Sequence, residues 1–124
     1  MWPFSKKNEE YAKRLRIEAG KLRVLSQFNE GMKNTMLDEA AEKYKEAYAI
    51  YVRLGKIDDQ CNVLCSLVET ARREESQKYL IRLESVCTNI RDTNEKDRAL
   101  EKLDALKKSL GYGVSRQQQL EKRR

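Results

Sequence analysis

LDEAAEKYKEAYAIYVRLG, residues 37–55, decides the fold class. Leu37, Ala40, Ala41, Tyr44, Ala47, Tyr48, Tyr51 and Leu54 recur at steps of three and four, which puts them on one face of an α-helix. Glu39, Glu42, Lys43, Lys45, Glu46 and Arg53 fall mostly on the opposite face. Small Ala alternates with large Tyr along the apolar stripe. Such a face lets neighbouring helices approach closely while the rings fill the space between them. Gly55 is the natural C-terminal stop.

Working outward, the same period continues on both sides. A helix starting near residues 5–8, capped by Ser5 or Asn8 and led by Glu9 and Glu10, carries Tyr11, Ala12, Leu15, Ala19, Leu22, Leu25 and Phe28. Gly20 sits in its middle and weakens it by about 1 kcal/mol relative to Ala. It should end near residues 29–31, with Asn34-Thr35 capping the next helix and Asp38 and Glu39 in that helix's first turn. After Gly55, a third helix spans about residues 58–73, with Cys61, Leu64, Leu67, Val68 and Ala71 inward and Arg72-Arg73 closing its negative end. Glu74-Glu75 opens a fourth, bearing Tyr79, Leu80, Leu83, Val86, Cys87 and Ile90. Asp92-Thr93-Asn94 turns into a fifth, bearing Ala99, Leu100, Leu103, Leu106 and Leu110 and stopped by Gly111.

No period-two stretch reads as a strand, and the short connections make antiparallel hairpins. The expected fold is all-α, about five antiparallel helices, arranged as stacked hairpins or as a closed four- or five-helix bundle. Residues 1–8 read as a flexible head, 9–110 as one helical domain, and 111–124 as a basic tail that is disordered or helical only when bound. Trp2 and Phe4 beside Lys6 and Lys7 either dock on the core or give marginal interfacial anchoring.

Composition narrows the function. The 124 residues are 37% charged, with one Pro and five Gly, as suits long amphipathic helices. The net charge of +6 divides into +4 over residues 1–34, −2 over 35–60, zero over 61–100 and +4 over 101–124. A basic excess at the ends with a neutral middle differs from a surface built to coat nucleic acid. No apolar run approaches a membrane span, and residues 1–4 are too short for a secretory core. Three Cys without framework spacing suit reduced thiols and a cytoplasmic setting.

The chain contains no His, the usual general base and commonest metal ligand. Its Gly residues form no phosphate-cradling loop. Cys61 and Cys65 share a helix face, and Cys87 could join them, but such thiols read as small apolar filler rather than metal ligands. The carboxylate pairs Glu9-Glu10, Asp58-Asp59 and Glu74-Glu75 stand at helix starts, where the dipole accounts for them. No enzyme, cofactor or metal is expected.

Leu37, Ala40, Tyr44 and Ala47, followed by Leu54-Gly55, resemble the second helix of a tetratricopeptide repeat of the longer type. The hairpins of soluble membrane-fusion attachment proteins are also similar. The resemblance covers about residues 9–110, as two units and a cap, with Tyr79, Leu83 and Val86 standing in the second unit where Ala40, Tyr44 and Ala47 stand in the first. Its departures are the lack of the usual aromatic and Gly in the first helix, of a small residue at Tyr79, and of a closing Pro.

The resemblance implies a protein-binding adaptor or scaffold whose first helices line a groove for an acidic peptide or helix. Lys13, Arg16 and Arg23 from the first helix, with Asn62, Glu69 and Arg72 from the third, are then the candidate partner-binding residues. Exposed ends of so short a stack would also suit self-association. The alternative is a small basic helical protein that binds nucleic acid through Arg116, Lys122, Arg123 and Arg124.

Overall fold

The computed structural model describes residues 8–111; the expected head, tail and Ser5 cap lie outside them, apart from Asn8 and Gly111. Among the described residues the fold is all-α: α1 (Glu9–Ser26), a 3-10 turn (Glu30–Met32), α2 (Lys33–Leu54), α3 (Ile57–Thr70), α4 (Arg73–Thr88) and α5 (Thr93–Leu110). They fall into two compact units, the first ending at Leu83 and the second beginning at Glu84, so the boundary lies within α4.

In the first unit, α2 is the spine. It packs most extensively against α1 and next against α3. Ala40, Ala41, Tyr44, Ala47, Ile50 and Tyr51 are all buried along it, and Tyr51 has no solvent exposure. The buried surface is wider than the expected stripe because two helices lean on it: Ile50 is inside, whereas Leu54 is exposed at the end. α3 likewise buries Gln60 and Val63 together with Cys61, Leu64, Leu67 and Val68. Gln60 is tolerated inside because its amide donates to the Tyr51 carbonyl at 3.3 Å, near the end of α2. Thr70 is less well served: its hydroxyl is buried with no hydrogen-bond partner among the described residues.

Local signals set most helix ends. The Asn8 side chain accepts from the backbone N–H groups of Glu10 and Tyr11, capping α1 as expected. Gly55 ends α2 in the left-handed conformation, with φ of 69°. Its N–H and that of Lys56 return to carbonyls of the last turn of α2.

Other expected ends differ. α1 stops at Ser26, whose hydroxyl bonds back to the Arg23 carbonyl, leaving Leu25 and Phe28 52% and 82% exposed instead of in the core. The 3-10 turn then leads straight into α2 at Lys33, with Met32 at the cap position and no side-chain cap, so Asn34-Thr35 lies inside the helix. Asp38 and Glu39 are therefore past the first turn, which holds no acidic residue. α3 ends at Thr70, and its last turn carries no cation. Arg72 lies in the connection and Arg73 opens α4, with Glu74 and Glu75 in its first turn.

The second unit joins the end of α4 to α5. Asp92 caps α5 by accepting from the Glu95 N–H at 3.0 Å, and Gly111 closes it with φ of 78°. Cys87, Ile90, Leu103 and Leu106 are buried, the Cys87 thiol faces the Ala99 carbonyl, and Lys107 pairs with Glu84 at 3.0 Å.

Candidate functional site

The chain direction within the first unit follows from its polar ties. Lys56, just past α2, reaches Glu9 at the start of α1, so α1 and α2 are antiparallel. Arg72, just past α3, grips Asp38 near the start of α2 with bonds of 2.7 and 3.1 Å, so α2 and α3 are antiparallel too. α1 and α3 consequently run in the same direction. Two ion pairs join them in register: Arg16 to Asp59 at 3.4 Å and Arg23 to Glu69 at 3.6 Å. α2 and α4 are linked in the same sense by Lys45 to Glu75 at 3.6 Å and by Arg82 over the Tyr48 ring.

These ties redistribute the candidate residues. Arg16 is half-buried, held by Asp59 and by the hydroxyl and ring of Tyr51. Arg23 and Glu69 neutralise each other. Arg72 is spent on Asp38; its bond holds that carboxyl below the usual carboxylate range and raises the guanidinium's own pKa. Lys13 remains largely exposed, 3.8 Å from Glu9. Asn62 is half-buried on α3, where its carbonyl accepts from Ser66. Arg16, Arg23, Asn62 and Glu69 thus belong to the α1–α3 face, whereas Arg72 is turned toward α2. Arg116, Lys122, Arg123 and Arg124 lie outside the described residues.

The larger feature of this face is apolar. Ile17 and Val24 on α1 are 59% and 56% exposed, and Phe28 follows at the helix end. With Gly20 they recur at steps of three, four and four, a second stripe on the side of α1 away from Leu15, Ala19 and the core. Among the described residues, nothing outside the helix's own backbone would stand within 4 Å of a Cβ at Gly20. Arg16 and Arg23, each preceding a member of the stripe, form its α3 edge and are already paired. Arg14 and Lys21 form the other edge; among the described residues they enter no ion pair and act on Glu18 only through space.

A second cleft separates α1 from α2, lined by Tyr11, Arg14, Glu18, Glu39, Glu42, Lys43, Lys45 and Glu46. Several of its charges satisfy one another, although among the described residues Arg14 enters no ion pair there. Lys43 donates to Glu18 at 2.9 Å, lowering the carboxyl pKa and raising the ammonium pKa. The Glu46 carboxylate takes the Tyr11 hydroxyl and raises its pKa. Lys45, raised by its bond to Glu42, closes the far side. On α4, burial pushes the Tyr79 phenol up.

Among the described residues, no group of three or more His, Cys, Asp or Glu side chains is placed to hold a metal ion. No helix among them is long and apolar enough to cross a membrane. No family model, curated protein or solved structure matches the chain.

Proposed function

We propose that this chain is a non-enzymatic, cytoplasmic protein–protein interaction module: an adaptor or scaffold of tetratricopeptide-like stacked hairpins that holds a peptide or helix of a partner on the face shared by α1 and α3. The observation that carries this reading is the exposed apolar stripe of Ile17 and Val24 on α1, bordered by Arg16 and Arg23, which reach Asp59 and Glu69 on α3. α1 and α3 flank α2 in the same direction and meet through these long side chains, an arrangement that fits stacked hairpins and an up-down-up bundle alike.

The face has the anatomy of an interaction surface. Its exposed apolar residues, Ile17 and Val24, lie on α1, and the charged side chains that border them include Arg16 and Arg23, fixed by ties to Tyr51, Asp59 and Glu69. Affinity capture at physiological salt tests it, comparing the wild type with the Ile17→Asp/Val24→Asp variant, whose substitutions are exposed and spare the core. A partner held by the wild type and lost by a variant of unchanged thermal stability supports the reading; identical capture by both overturns it. A salt titration with mixed DNA and RNA tests the nucleic-acid alternative, which fails if nothing binds at low ionic strength.

A further inference from the structure

We infer that the α1–α3 face takes an α-helix, specifically an amphipathic helix of another protein whose apolar side is flanked by carboxylates, and that Gly20 is the point of closest approach. This inference rests on the interaction-module reading and names the occupant. Gly20 stands in the interior of α1, where glycine disfavours the helix. Among the described residues nothing repays that cost, because no neighbouring group stands within 4 Å of where its Cβ would be and its helical backbone needs no unusual torsion. It lies between Ile17 and Val24, both more than half exposed, so its missing side chain leaves a notch in an apolar stripe. A notch flanked by apolar knobs one turn away on each side fits a crossing helix, whose backbone comes closest where a side chain is absent. An extended strand would find no unpaired backbone here, since α1 spends its own hydrogen bonds internally.

The charge of the occupant follows from the edges. Arg16 and Arg23 are neutralised by Asp59 and Glu69. The positive charge left beside the stripe is that of Arg14 and Lys21; Lys13, one turn before Ile17, is already held by Glu9 at 3.8 Å. Carboxylates along the corresponding edge of an incoming helix meet these cations. A second copy of α1 would bring the same cations against them, which disfavours self-pairing through this face.

The test uses the full chain and a fluorescently labelled synthetic helix with Leu at positions i, i+3, i+4 and i+7 and Glu on the flanks, beside the same peptide with Lys in place of Glu. The Glu peptide should bind, and the Lys peptide should bind at least about tenfold more weakly. Gly20→Leu fills the notch with a better helix former. It should raise the melting temperature while weakening the Glu peptide about tenfold, a divergence that a purely structural glycine would not produce. Ile17→Glu should weaken the same peptide without altering the melting temperature. If Gly20→Leu and Ile17→Glu both bind the Glu peptide as the wild type does, the Glu-flanked helix is not seated on the α1 stripe and this inference is overturned; the interaction-module reading is then decided by the Ile17→Asp/Val24→Asp capture experiment alone. If the Lys peptide binds equally well, the charge assignment is overturned. Sedimentation showing a wild-type dimer that Gly20→Leu dissociates would replace the partner by a second copy. Binding to phosphatidylserine vesicles without binding to the Glu peptide would replace it by a lipid surface and remove both readings.

Discussion

The Arg16 guanidinium stands 5.8 Å from the centroid of the Tyr51 ring and 3.4 Å from both the Tyr51 hydroxyl and the Asp59 carboxylate. One side chain on α1 thereby touches α2 and α3 together. Arg16→Ala should lower stability by about 1–2 kcal/mol, through lost packing and cation–π attraction as well as lost charge. Arg16→Lys should recover only part, because a single ammonium cannot match the spread of the guanidinium over ring and carboxylate. Urea unfolding of the three proteins checks this; equal midpoints would mean that Arg16 is not a tie between helices.

Ala47 lies on the spine with no exposure. Enlarging it forces α2 away from its neighbours, and Ala47→Phe should cost about 1–3 kcal/mol or prevent folding. The melting temperature decides it. A variant of unchanged stability would remove α2 from the centre of the first unit.

The buried Thr70 hydroxyl lacks a partner. Thr70→Val keeps the shape, has a similar helix propensity and removes the orphaned donor, so it should stabilise the chain by about 1 kcal/mol. Destabilisation in a urea titration would show that the hydroxyl is satisfied in solution.

Acid should loosen the first unit. Glu18 and Asp38 both have carboxyl pKa values held low by bonds from Lys43 and Arg72. A depressed folded-state pKa contributes stability that is fully present above the unfolded carboxylate value, about 4, and is lost as pH falls through the folded value. The urea midpoint should therefore fall below about pH 4. A Glu18→Gln/Asp38→Asn variant should start from a lower neutral midpoint and fall less steeply; an unchanged acid slope would show that these pairs do not act on stability.

Much of this architecture could be read in the residues. Asn8, Gly55, Asp92 and Gly111 act within one turn of themselves, so their caps are visible without tertiary information. The Ala40–Tyr44–Ala47 spacing gives the spine for the same reason. The start of α2 was hidden because Asn34-Thr35 offers a local cap that the longer helix overrides. Ile50 was missed because α2, pressed from two sides by α1 and α3, buries more than one stripe.

The candidate site was hidden in a different way. α1 carries apolar residues on two faces, and reading them as one stripe put Leu25 and Phe28 in the core and left Ile17 and Val24 unassigned. Their spacing around Gly20 was the available signal. Nothing local could show that Arg16 meets Asp59, 43 residues away, or that Arg23 meets Glu69. Charge pattern identifies cations, but only the packing tells which of them are already paired.

Amide chemical-shift mapping with the Glu-flanked peptide tests the α1–α3 face most directly. Perturbations should be concentrated at Lys13, Ile17, Gly20, Lys21, Val24 and Phe28, extending to Asn62 and Glu69 on α3. Shifts confined to the opposite side of α2 or to α5, or no shifts at saturating peptide, would contradict that placement.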